Sequence, residues 1–446
     1  MLYFRNILLS TALLFAMLPG AGASTQNDAD SSLGNAVDAG TLEQVKHAAE
    51  RHDAEALYRL GTVVFEGRLL RKDLDQAADL FKRAADKGHA AAQNAYGFML
   101  QHGLGVATNE TEAAQWYERA AAAGNADAQN NLGSLYQAGQ GVARNLEQAV
   151  TWYAKAAAAG SGVAAYNIGR LYESGEYSPK DGSPDLAATL DWYGKAAASG
   201  QATAQYKLGS ALLEGKGLPR DPVAGLAWIG KSAAQGNPLA QHQLALQLAG
   251  DGYKSRDERE ALRLALAAAH QGLPAAERLA ASFLEYGVGT TEDPAAAARW
   301  YREAATRGDA EAALHLALLL DTGPQELRAP AQAAAWYEQA ARAGWHDADL
   351  RLGSLYQEGR GVGRDYSQAL ARYQRAADAG FADALYRIGV LYDEGLGVER
   401  DSRVALQWYA KAAERGHVEA SAVIERLMKP LDRDNDPFGA PKFGKF

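Results

Sequence analysis

Seven of the eight tryptophans in this 446-residue chain fall on one beat. Trp116, Trp152, Trp192, Trp228, Trp300, Trp336 and Trp408 are 36, 40, 36, 72, 36 and 72 residues apart, and Leu264 and Arg372 fill the two skipped positions. A second series keeps the same beat: Gly88, Gly124, Gly160, Gly200, Gly236, Gly272, Gly308, Gly344, Gly380 and Gly416 follow at intervals of 36, with 40 only between Gly160 and Gly200. A fixed period of this length means one supersecondary unit that buries its apolar face by stacking on its own copies. The expected fold class is therefore all-α: an α/α superhelical solenoid of about ten 36-residue helix-turn-helix repeats with helical caps. The ten units occupy 53–416, with a capping helix on each side at 41–52 and 417–429.

Residues 125–160 show how one unit works. Ala128, Leu132, Leu135 and Tyr136 recur at helical spacing and define the buried face of a first helix, A. Gly139 and Gly141 end it with the positive φ that a helix C-terminus and tight turn require. Asn145 caps a second helix, B, whose apolar positions are Ala149, Trp152, Tyr153, Ala156 and Ala157, and Gly160 closes it. Gly133 lies inside helix A, where glycine costs about 1 kcal/mol against Ala. Its equivalents are Gly61, Gly97, Gly169, Gly209, Gly353 and Gly389, with Ala245, Ala281 and Ala317 elsewhere, so the position excludes a large side chain. The expected reason is close approach of helix B, with the indole lying over the gap.

The pattern Leu-Gly-x-x-Tyr, Gly-x-Gly-Val, Ala-x-x-Trp-Tyr-x-Lys-Ala-Ala-x-x-Gly resembles the Sel-one-like repeat, a 36-residue relative of the tetratricopeptide repeat. Residues 125–160, 345–380 and 381–416 follow it closely, whereas 237–272, 273–308 and 309–344 lose the helix-A glycine. The resemblance implies an adaptor or scaffold. A cysteine-bridged branch acts on penicillins, and the absence of cysteine here points away from it.

The first 23 residues read as a secretory signal: Arg5 in the n-region, an apolar run from Ile7 to Leu18, then Ala21-Gly22-Ala23 before Ser24. Cleavage after Ala23 and release into the periplasm are the expectation, with 24–40 a flexible leader and 430–446 a disordered tail. The apolar run is shorter than the roughly 20 residues that span a bilayer. With no cysteine, stability must come from packing. The net charge of −9, or −10 once Arg5 leaves with the signal, argues against nucleic acid and anionic lipid as partners. Four extra residues fall in the loop Gly175 to Pro184, where a solenoid tolerates insertions. In the tail, Asp432, Asp434 and Asp436 alternate like the start of a calcium loop, but Pro437 stands where that loop needs glycine.

No constellation for chemistry emerges. The Gly-x-Gly turns follow helices rather than strands and lack both the third glycine and a Walker lysine, so they are turns. The nine histidines show no i, i+4 metal pair, and no Gly-x-Ser-x-Gly elbow occurs. Asn109-Glu110-Thr111 is a formal glycosylation sequon, read more simply as a helix cap. The chain is expected to be no enzyme and to need no cofactor or metal. What remains is the inner wall of helices A in repeats one to five: Tyr58, Arg59, Asn94, Asn130, Asn131, Tyr166, Asn167, Arg170, Tyr206 and Lys207. Carboxamides and phenols suit an extended peptide, or a glycan. The row continues through His242, Gln243, Arg278, His315, Arg351 and Arg387. The expected function is an adaptor for envelope proteins or peptides in polysaccharide export, motility or cell-wall maintenance. The alternatives are an immunity protein wrapping an envelope-targeting toxin and, against the cysteine count, a penicillin-acting enzyme. Asn130, Asn131, Asn167 and Arg170 are expected to lie off the packing core.

Overall fold

The computed structural model describes residues 37–178, 183–250 and 257–428. All the regular structure among them is helical. Contacts divide the chain into two units, one ending at Gln235 and the other starting at Gly236. The first holds α1 (Leu42–Glu50), α2 (Ala54–Glu66), α3 (Leu74–Asp86), α4 (Ala90–His102), α5 (Glu110–Ala122), α6 (Ala126–Ala138), α7 (Leu146–Ala158), α8 (Gly162–Ser174), α9 (Leu186–Ala198), α10 (Ala202–Glu214) and α11 (Pro222–Ala234). The second holds α12 (Pro238–Ala249), α13 (Glu258–Ala269), α14 (Pro274–Glu285), α15 (Pro294–Thr306), α16 (Ala310–Thr322), a 3-10 turn (Gln325–Leu327), α17 (Pro330–Arg342), α18 (His346–Glu358), α19 (Tyr366–Asp378), α20 (Ala382–Glu394), α21 (Ser402–Glu414) and α22 (Val418–Met428). Within each unit every helix packs on the next in sequence, so the even-numbered helices from α2 on are helices A and their successors helices B. The fold is the all-helical solenoid of paired helices that the period demands.

Local chemistry sets the boundaries. Asn145 and Asn109 cap α7 and α5, each side chain accepting a backbone N–H three residues on at 3.1 Å. Gly139 ends α6 in the left-handed region at φ 74°. Gly141, at φ 67°, has a second reason to be glycine: a Cβ there would collide with the Glu110 carbonyl in the first turn of α5. The tight turn of one repeat is thus pressed against helix B of the repeat before. At the N-terminal end His52 takes the same left-handed conformation, at φ 63°, one period before Gly88.

One expectation is corrected. The ring over Gly133 belongs to Tyr153, not to an indole; a Cβ at Gly133 would sit 2.8 and 2.9 Å from that ring's carbons. Tyr153 is 1% exposed, whereas Trp152 is only half-buried, with Lys155 Nζ 3.8 Å above its ring. One residue turns the helix by about 100°, and the narrower phenol takes the inward direction. The same pairing recurs at Gly97 with Tyr117, Gly169 with Tyr193, Gly353 with Tyr373 and Gly389 with Tyr409.

The expected signal at 1–23, most of the leader, the tail 430–446 and residues 179–182 of the inserted loop lie outside the described residues. Among the described residues no helix is long and apolar enough to cross a membrane.

Candidate functional site

Successive helices A are stitched by carboxamides. Asn131 of α6 donates through Nδ2 to Asn94 Oδ1 of α4 at 3.0 Å, and Asn167 of α8 donates to Asn130 Oδ1 of α6 at 3.1 Å. Each step is 37 residues, one period plus one residue, so the two bonds form a ladder across α4, α6 and α8. Their burial corrects the expectation that these side chains stand off the core: Asn94 is 2% exposed and Asn130 and Asn131 8% each. A carboxamide tolerates this because each buried group has a partner, and removing one partner leaves the other unsatisfied.

Beside the ladder lies a groove of about 530 Å³, lined by Asn130, Asn131, Gln137, Tyr153, Val163, Asn167, Arg170 and Glu176 among others. A smaller hollow of about 220 Å³ shares Gln137, Arg170 and Glu176 and adds Glu173 and Ser174. Tyr153 donates to Gln137 Oε1 at 3.0 Å, and burial pushes its hydroxyl up to about 12, so the phenol stays neutral. Glu176 accepts from Arg144 Nη2 at 2.7 Å. Glu173 accepts from Lys207 Nζ through both oxygens and from the Tyr193 hydroxyl, each at 2.7 Å. Burial works against the charge of Glu173, yet those bonds outweigh it and hold the carboxyl below its ordinary value.

Of the expected inner-wall residues, the groove brings together Asn130, Asn131, Asn167 and Arg170. Asn94 lies behind them in the ladder. The other five do not line it. Tyr58 is stacked on His89 with ring centroids 4.8 Å apart, and burial raises its hydroxyl to about 12. Arg59 lies 3.7 Å from Glu55. Tyr166 stacks on Tyr193 at 5.4 Å, Tyr206 is half-buried on α10, and Lys207 is committed to Glu173. In the second unit Arg278 pairs with Asp309 at 3.0 Å and Glu311 at 3.1 Å, and His315 stacks on Tyr301. Reasoning from sequence missed Gln137, Tyr153, Val163 and Glu176. Gln137 had a signal: Gln101, Gln137 and Gln357 each stand 16 residues before a helix-B tyrosine whose hydroxyl they accept. It also missed the buried carboxylates Glu277, Asp321 and Asp349, which are paired with Arg307, Arg360 and Arg372. Among the described residues no group of three or more His, Asp or Glu could hold a metal ion.

The Sel1 repeat family model matches ten consecutive segments, from 54–89 through to 382–417. Among solved structures, a protective antigen present in uropathogenic Escherichia coli strains, displaying an SLR fold, is 30% identical, with 87% of this chain and 91% of that one covered and a TM-score of 0.60. A Sel1 repeat protein from Oxalobacter formigenes is 26% identical over 64% of this chain and 96% of its own, with a TM-score of 0.37. An immunity protein from Pseudomonas aeruginosa is 19% identical over 57% of this chain and 81% of its own, with a TM-score of 0.32. The curated proteins contain no match. Five A/B hairpins in each unit, a glycine under the inward tyrosine in five of the ten, and an unbroken run of family matches place this chain in the Sel1 repeat family.

Proposed function

We propose that this Sel1 repeat protein is a non-enzymatic adaptor of the cell envelope, which holds an extended protein segment along helices A of repeats three and four. One observation carries the reading: the carboxamide ladder fixes Asn130, Asn131 and Asn167 in the wall of a polar groove before any ligand arrives. Side chains already locked by packing lose little entropy on binding, which favours recognition at modest contact area. Both lining carboxylates are engaged in ion pairs, which suits a binding surface better than a proton-transfer site. The periplasm as its compartment rests on the signal-like segment ending at Ala23, and mass spectrometry of the mature protein checks it: Ser24 should be the first residue.

The binding role is tested in cells by photocrosslinking. A benzophenone amino acid replaces Val163, 48% exposed at the groove, or Val223, 82% exposed and outside it. A protein adduct formed from position 163 and missing from 223 supports the reading. Identical adducts from both positions, or none from 163, overturn it.

A further inference from the structure

Among the described residues, the ion pairs of this groove leave one charge over. Glu176 is held by Arg144, and Glu173 by Lys207 and the Tyr193 hydroxyl. Arg170 lines both hollows, is exposed, and makes no hydrogen bond or ion pair with any described residue. Being exposed and shared by both linings, it places its guanidinium where the two hollows meet. A free guanidinium is a planar fork of donors whose best partner is a carboxylate bound through two parallel bonds.

The ladder leaves a matched set of amide groups beside it. Its two bonds use one hydrogen each from Asn131 and Asn167. That leaves the Asn130 amide hydrogens as donors and the Asn131 and Asn167 carbonyl oxygens as acceptors. A main-chain amide offers one donor and one acceptor, which fits this set. Val163 adds an apolar edge at the mouth.

We infer that the groove of repeats three and four binds an extended peptide through its main chain and seats a carboxylate of that peptide on Arg170. This rests on the groove being the partner site. The carboxylate comes from an acidic side chain or from the peptide's C-terminus, and the two sources are separable by experiment.

The test uses the mature full-length protein with benzophenone at position 163 and two random decapeptide libraries, one with amidated and one with free C-termini. Peptides crosslinked from 163 should be enriched in Asp or Glu at one position in the amidated library, or should come only from the free-ended library. Conversion of that acid to its amide, or Arg170→Gln, should weaken binding about tenfold or more. Arg170→Glu should turn the selected residue from acidic to basic. Arg170 is exposed, so both variants should keep the parent's thermal melt. Peptides that crosslink at 163 without acidic enrichment, and bind the Arg170→Gln variant equally well, overturn the inference while leaving the groove as the site. An oligoguluronate that binds in an Arg170-dependent way while no peptide does overturns the peptide class. Absence of any crosslink from 163 overturns both the inference and the groove.

Discussion

At Gly133 a missing side chain makes room for a fully buried ring. The Tyr153 ring occupies the space that a Cβ would need, and its hydroxyl reaches Gln137 at the groove. Ala281 fills the same slot beneath Tyr301, both fully buried, so a single methyl can be accommodated when the ring shifts. Gly133→Ala should therefore remain within about 1 kcal/mol of the parent, the gain in helix propensity offsetting the crowding. Gly133→Val has no such relief and should cost about 1–3 kcal/mol in urea denaturation. A valine variant as stable as the parent would mean that the Tyr153 ring is not locked against α6. The need for a small residue was legible in the period. Which of two adjacent aromatics filled the gap was not, because Trp152 and Tyr153 both fall inside the broad apolar stripe of α7.

Between elements, the recurring problem is the last turn of each helix B, whose carbonyls have no partner in their own helix. The next helix A answers it. Gln93, Gln129 and Gln205 donate eight residues back to Ala85, Ala121 and Ala197 oxygens, at 3.3, 3.1 and 3.2 Å. Where helix A lacks the glutamine, helix B supplies the donor: Gln339 bonds Ala305 O at 2.8 Å and Arg375 bonds Ala341 O at 3.1 Å. At the same register stands Glu277, 1% exposed, with Oε1 on Arg307 at 2.8 Å and Oε2 buried without a partner. Burial raises its carboxyl above the ordinary 4.5, with Arg307 opposing. A raised folded value means that the fold favours the protonated form. That stabilisation is full below the unfolded value and is lost as pH rises through the folded one. At neutral pH, Glu277→Gln should therefore stabilise by about 1 kcal/mol, offering its amide to the Ala269 carbonyl while Arg307 keeps Glu303. The advantage should shrink on acidification through the folded value, as paired urea titrations at neutral and acidic pH will report. A less stable glutamine variant at neutral pH would show that the Arg307 pair outweighs the orphaned oxygen. The ladder asparagines were visible in the sequence as part of a polar row, yet their burial was not. Hydropathy equates polar with solvated, and a carboxamide whose partner lies 37 residues away breaks that equation without penalty. Hence Asn94, Asn130 and Asn131 were placed on the right helices but assigned an open surface.

At the scale of the molecule, stability is a sum over neighbouring helices, and an end is a helix with one neighbour missing. In the second unit α22 is the last described helix: Ala420 is fully buried, and Val423 and Ile424 pack into the cluster around Tyr409 and Trp408. A chain stopped at Gly416 should lose hydrogen-exchange protection first in α20 and α21, with the region of Leu352 and Leu355 holding longer. Unchanged protection in α20 would show that the terminal helix contributes nothing to the stack. The period that announced the fold came from tryptophan, while the packing it announced is done by tyrosine. Trp152, Trp192, Trp228 and Trp408 ride half-buried at the edge of helices B, each with a lysine ammonium 3.8–4.3 Å above its ring. Optical measurements inherit this division. Emission from these four indoles watches the edge of the stack and its lysines, so their share will stay nearly dark to a ligand entering beside Arg170, whereas near-ultraviolet dichroism of the phenols reads the interior directly.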